Sequence, residues 1–93
     1  MNSASFSVFY LRRDPSESPD TEGPRAGFTT PRALGKAHDR NRMRRRLREA
    51  VRHELSQADP SVDFIFHPRR NTLDAPIPSL RREVEKVFLK CRT

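Results

Sequence analysis

The chain has 93 residues, of which only 33% are apolar, so one domain with a thin core is expected and a second is excluded. A formal charge of +7 and a pI near 11 point to a polyanionic partner. The longest apolar runs, Val8-Phe9-Tyr10-Leu11 and Phe64-Ile65-Phe66, fall far short of the roughly 20 residues of a bilayer span, which makes nucleic acid the expected partner and not a membrane.

Phe6 to Leu11, aromatic and β-branched, reads as a strand buried on at least one face. Met1 to Ser7 lacks the basic start and apolar stretch of a signal peptide, so a cytoplasmic location is expected. Asp14 to Pro24 holds three prolines, a glycine and seven Ser, Thr, Asp or Glu, which predicts a solvated loop over 14–24. A hairpin connection from the first strand to a second, Arg25 to Thr30, is the expected arrangement, with Pro31 ending the strand.

After a glycine turn at Gly35, apolar residues at Met43, Leu47, Ala50, Val51 and Leu55 follow one helical face, predicting a helix over 36–57. Nearly all the net charge sits here. From Lys36 to His53 eight Lys or Arg stand against Asp39 and Glu49, whereas residues 1–35 cancel and the last forty contribute only +1. Like charges at i,i+4 repel by about 0.2–0.5 kcal/mol per pair, so a helix that tolerates several suggests a partner that neutralises them. Seven of the eight are arginines, whose planar guanidinium suits phosphate and base stacking.

Val62 to His67 reads as a third strand with Val62, Phe64 and Phe66 on one face, closed by Pro68. A last helix over 79–92, with Ser79 as its N-cap, carries the stripe Leu80, Val84, Val87, Phe88 and Cys91. The order β-β-α-β-α defines an α+β single domain, a small mixed sheet packed with two helices. The single cysteine excludes an internal disulfide and reads as core. His38, His53 and His67 match no acid–base motif or zinc spacing, and Gly35-Lys36 lacks the glycine-rich lead-in of a phosphate loop.

The run Gly35-Lys36-Ala37-His38-Asp39-Arg40-Asn41-Arg42-Met43-Arg44-Arg45-Arg46-Leu47-Arg48-Glu49-Ala50 resembles the signature of the ribonuclease P protein subunit, a glycine turn leading into a helix with an Arg-Asn-Arg triplet. The likeness extends to Ser7–Tyr10, to Arg25-Ala26-Gly27-Phe28, to Asp63–Phe66 and to the last helix. The resemblance implies a ribosomal-protein-like two-layer sandwich with a left-handed β-α-β crossover. It also implies a non-catalytic subunit that binds the catalytic RNA and the 5′ leader of precursor tRNA, with magnesium held by RNA and substrate and no obligatory protein partner. On this carry-over Lys36, Arg40, Asn41, Arg42, Arg44, Arg45, Arg46 and Arg48 would meet RNA, and Val8, Tyr10 and Thr29 the leader. The pattern departs from the family twice. The usual N-terminal helix and strand do not precede Val8, which leaves open a misassigned start, a truncated chain or a short form whose cleft is open on one side. Thr30-Pro31-Arg32-Ala33 stands where the family offers a Ser-Lys-Lys type segment. A general structural RNA-binding or RNA-chaperone protein is the alternative reading, and a DNA-binding helix module a weaker one.

Overall fold

A computed structural model describes residues 1–12 and 25–91, so the loop expected over 14–24 lies outside the described residues. In chain order it holds β1 (Phe6–Arg12), β2 (Arg25–Phe28), a 3-10 turn (Arg32–Leu34), α1 (Ala37–Glu54), a 3-10 turn (Leu55–Gln57), β3 (Val62–Pro68), a 3-10 turn (Arg70–Leu73) and α2 (Ile77–Lys90). The expected α+β order is present, with shifted ends. α1 gives way at Leu55 to a tighter 3-10 turn. α2 begins two residues before Ser79, with Pro76 at the cap and Pro78 in the first turn, where a missing N–H removes no helical bond. Ser79 therefore caps nothing; its N–H donates to the Pro76 carbonyl at 3.0 Å.

The sheet order is β1-β3-β2, which corrects the expected hairpin: β1 and β2 are not neighbours. β3 lies between them, antiparallel to β1 from Phe6↔Pro68 to Arg12↔Val62 and parallel to β2 from Arg25↔Asp63 to Phe28↔Phe66. Its composition suits the centre, because Val62, Phe64 and Phe66 line one face while Ile65 adds apolar surface to the other. Parallel pairing of β2 and β3 requires a long crossover, and α1 supplies it.

Both helices cover one sheet face. Strand alternation sends Phe6, Val8, Val62, Phe64 and Phe66 inward, where they meet Leu47, Ala50 and Val51 of α1 and Leu80, Val84, Val87 and Phe88 of α2. Phenylalanines knit the layers: Phe64 and Phe88 rings lie 4.9 Å apart, Phe6 and Phe66 5.3 Å, Phe28 and Phe66 5.6 Å. Such pairs add roughly 0.5–1.5 kcal/mol beyond their buried area. Cys91 closes this core, and burial pushes its thiol above the usual range.

The segment before β1 folds back on it, with the Val8 N–H bonded to the Met1 carbonyl at 2.9 Å and the Ser3 N–H to the Phe6 carbonyl at 2.8 Å. Glu83 of α2 pins this segment by accepting from the Ser5 N–H at 2.8 Å, the Ser5 hydroxyl at 2.7 Å and the Ser3 hydroxyl. Burial pushes the Glu83 carboxyl up, but hydrogen bonds from Ser3, Ser5 and Ala4 outweigh it and hold the group below its ordinary value of 4.5. A carboxyl depressed in the folded state binds its proton more readily when unfolded, so its stabilisation is present above the ordinary value and is lost as pH falls toward the folded one. Urea titrations between pH 7 and 3 should therefore show Glu83→Gln less stable than the parent at neutral pH, with the gap closing in acid. A gap independent of pH would contradict this role.

Candidate nucleic-acid interface

The orientation of α1 is fixed at its start and along its apolar stripe. Gly35 adopts φ 136°, a conformation that side chains disfavour, and so turns the chain sharply into the helix. Lys36 occupies the N-cap, its carbonyl accepting the Arg40 N–H at 3.0 Å. With Met43, Leu47, Ala50 and Val51 buried, the 3.6-residue repeat puts Asn41, Arg44, Arg45, Arg48 and Arg52 within an arc of about 100° on the side toward β2. Asn41, Arg44, Arg45 and Arg48 line an open hollow of about 400 Å³. Arg44 donates to the Asn41 side-chain oxygen, so the asparagine orients a guanidinium. The Arg48 guanidinium lies 5.5 Å above the Phe28 ring, held by a cation–π contact. Within the described residues Arg44, Arg45 and Arg48 meet no carboxylate.

The remaining predicted cations do not join this hollow. Arg46 is held elsewhere: its Nε donates to the Thr72 carbonyl at 2.8 Å and its Nη2 to the Ala75 carbonyl, so it fastens α1 to the turn before α2. Those donors are spent on backbone. Arg40 is half-buried and reaches the Thr30 carbonyl at 3.5 Å, while its Nε is buried without a partner among the described residues. Lys36 at the helix start and Arg42 on the flank away from β2 are exposed. Arg52 is paired with Glu49 at 2.7 Å, and the Arg52 hydrogen bond holds the Glu49 carboxyl below its usual range.

The sheet face turned away from the helices forms a second surface. Phe9, Leu11 and Ile65 are 63%, 71% and 41% exposed there. The Phe9 ring meets His67 edge-on at 5.2 Å, and the Thr29 hydroxyl bonds His67 Nδ1. Gly27 keeps the face low, since a Cβ there would stand 3.2 Å from the Ile65 methyl. Of the three residues expected at the leader, only Thr29 lies on this surface. Val8, 1% exposed, is core, because it is paired with Phe66 and shares its inward face. Tyr10 pairs with Phe64 and so projects to the helix side, where it is 52% exposed at the outer strand. Phe9, Leu11, Ile65 and His67 stand on this face without having been singled out in the sequence. The period of two would have found them once Phe6 and Val8 were assigned inward. As an edge strand, β2 borders both surfaces, with Phe28 beneath Arg48 on one side and Gly27 and Thr29 on the other.

Among the described residues no three His, Cys, Asp or Glu side chains gather as a metal-ligand set, and no helix is long and apolar enough to cross a membrane.

A thin α+β sandwich with a cationic helix flank beside an exposed aromatic sheet face defines a basic module shaped for polyanions that also carry apolar rings. The family model described as Ribonuclease P matches residues 1–92. The chain belongs to the ribonuclease P protein family. It is 45% identical over 64 residues to the ribonuclease P protein component of Symbiobacterium thermophilum, covering 69% of this chain and 56% of that one. With its counterpart from Brucella suis it shares 41% over 66 residues, 70% of this chain and 47% of the other, so the match spans about half the length of these curated relatives. Among solved structures, the ribonuclease P protein of Thermotoga maritima superposes with a TM-score of 0.79 at 18% identity, covering 100% of this chain and 83% of that one. The Staphylococcus aureus protein gives 0.68 at 21%, over 97% and 76%. At such identities these two speak for the fold.

Proposed function

We propose that the chain serves as the protein subunit of a ribonuclease P ribonucleoprotein in the cytoplasm, aiding 5′ maturation of precursor tRNA. The catalytic RNA and magnesium ions held by RNA and substrate do the bond-breaking, and the protein contributes binding. The α1 flank of Asn41, Arg44, Arg45 and Arg48 takes phosphates of the catalytic RNA. The 5′ leader lies extended over the open sheet face, where Phe9 and Ile65 offer its bases apolar surface and Thr29 and His67 offer polar contacts.

The observation that carries this reading is the cluster of three guanidiniums, Arg44, Arg45 and Arg48, that meet no carboxylate within the described residues and border an aromatic sheet face. A solvated helix face normally interleaves both signs. Cleavage of precursor tRNA by the cognate RNA at low magnesium should be strongly stimulated by the protein, and the complex should bind precursor tRNA more tightly than mature tRNA. Stimulation without leader dependence would indicate a general RNA-binding protein instead, and no stimulation would remove the proposal.

A further inference from the structure

A second hollow, of about 250 Å³, opens at the seam where α1 leans on β2. Its floor is apolar, made by Ala26 and Phe28 of β2 and by Val51 and Leu55 at the C-terminal end of α1, while Arg48 and Arg52 stand at its rim. It is smaller than the roughly 300–1,000 Å³ of a drug-sized ligand's pocket, so one ring system fills it.

The strand edge adds hydrogen-bonding groups. Because the Thr29 N–H bonds the Phe66 carbonyl at 2.9 Å, alternation along a parallel ladder turns the N–H and C=O of Phe28 and Ala26 the other way, to the outer edge of β2. Neither residue's backbone has a partner there among the described residues. Apolar floor, paired donor and acceptor, and cationic rim are three features that one ligand class satisfies together. A nucleobase has a flat π face for Phe28, an edge that both donates and accepts, and a phosphate one sugar away for Arg48. Phe66 packs against the Phe28 ring from the core side and the Arg48 guanidinium stands 5.5 Å over it, so a base entering the seam takes the guanidinium's place on the ring while Arg48 swings outward to the phosphate. Arg52 would have to loosen its pair with Glu49 to join, which leaves Arg48 as the principal phosphate contact.

We infer that the α1–β2 seam receives a single unpaired nucleobase of the bound RNA, separate from the bases laid over the open sheet face. This rests on the reading of α1 as the RNA-facing helix, and its test is independent of tRNA maturation. The full chain, labelled with ¹⁵N, is titrated with adenosine 5′-monophosphate and, separately, with ribose 5-phosphate, which lacks the base. Adenosine 5′-monophosphate should shift the amides of Ala26, Phe28, Val51 and Leu55 and bind about fivefold or more tightly than the ribose phosphate, as one stacked base requires. Ala26→Leu, which fills the hollow from the strand, should abolish that preference while leaving ribose phosphate binding unchanged. Equal affinities, or adenosine shifts confined to Phe9, Ile65 and His67, would overturn the inference even if maturation is stimulated. The comparison on the parent chain decides the matter by itself should Ala26→Leu fold poorly.

Discussion

Phe66→Ala is expected to destabilise the protein by about 3–5 kcal/mol, the range for emptying a buried aromatic site. Phe66 is fully buried at the middle of the central strand, and its ring contacts Phe6 on β1, Phe28 on β2 and Phe88 on α2. One ring thus joins both edge strands to the helical layer. A domain of this size has roughly 5–15 kcal/mol in all, so the loss is a large share of the whole. Neighbours that are themselves rigid rings collapse poorly into the space left behind, which places the cost toward the upper end. Urea denaturation at neutral pH measures it directly. A loss below about 1 kcal/mol would mean that the layers are held elsewhere.

Replacing Arg44, Arg45 and Arg48 together with glutamine should weaken binding of the cognate catalytic RNA on the order of a hundredfold at low salt, since each charged contact is worth about 1.5–3 kcal/mol before compensation. Folding should be spared. The three crowd one another at spacings of three and four residues, glutamine is a comparable helix former, and removing like charges relieves repulsion. Losing the contact between Arg48 and Phe28 costs about 0.5–1 kcal/mol in return. If the parent neutralises about five phosphates, its log–log salt slope is near −4, and the triple variant's should be shallower by two to three. Unchanged slope with unchanged unfolding temperature would clear these arginines of any phosphate contact.

The sequence carried the element order plainly, because Met43, Leu47, Ala50 and Val51, and again Leu80, Val84, Val87 and Phe88, repeat with helical spacing that only a sheet-facing stripe explains. It also located the cationic helix. Strand order was less legible. Adjacent strands joined by a turn-rich loop usually pair, and nothing local to β1 or β2 tells that β3 lies between them. The same gap hid the exposed sheet face: Phe6 to Leu11 is apolar at nearly every position, so its period of two is masked until pairing with Phe64 and Phe66 sets which residues turn inward. Arg46 shows a different limit. Its type and its place in a basic run match Arg44 and Arg45, yet 100° of helix rotation per residue aims it at the carbonyls of Thr72 and Ala75, and those partners are 26 and 29 residues away.

Arginine-specific modification with phenylglyoxal, read residue by residue by mass spectrometry with and without the cognate catalytic RNA, tests the cationic flank most directly. Arg44, Arg45 and Arg48 should react readily in the free protein and be protected by RNA, while Arg46 should react slowly in both states. Protection that spares these three, or that falls equally on Arg81 and Arg82 of α2, would contradict the assignment of this helix face to RNA.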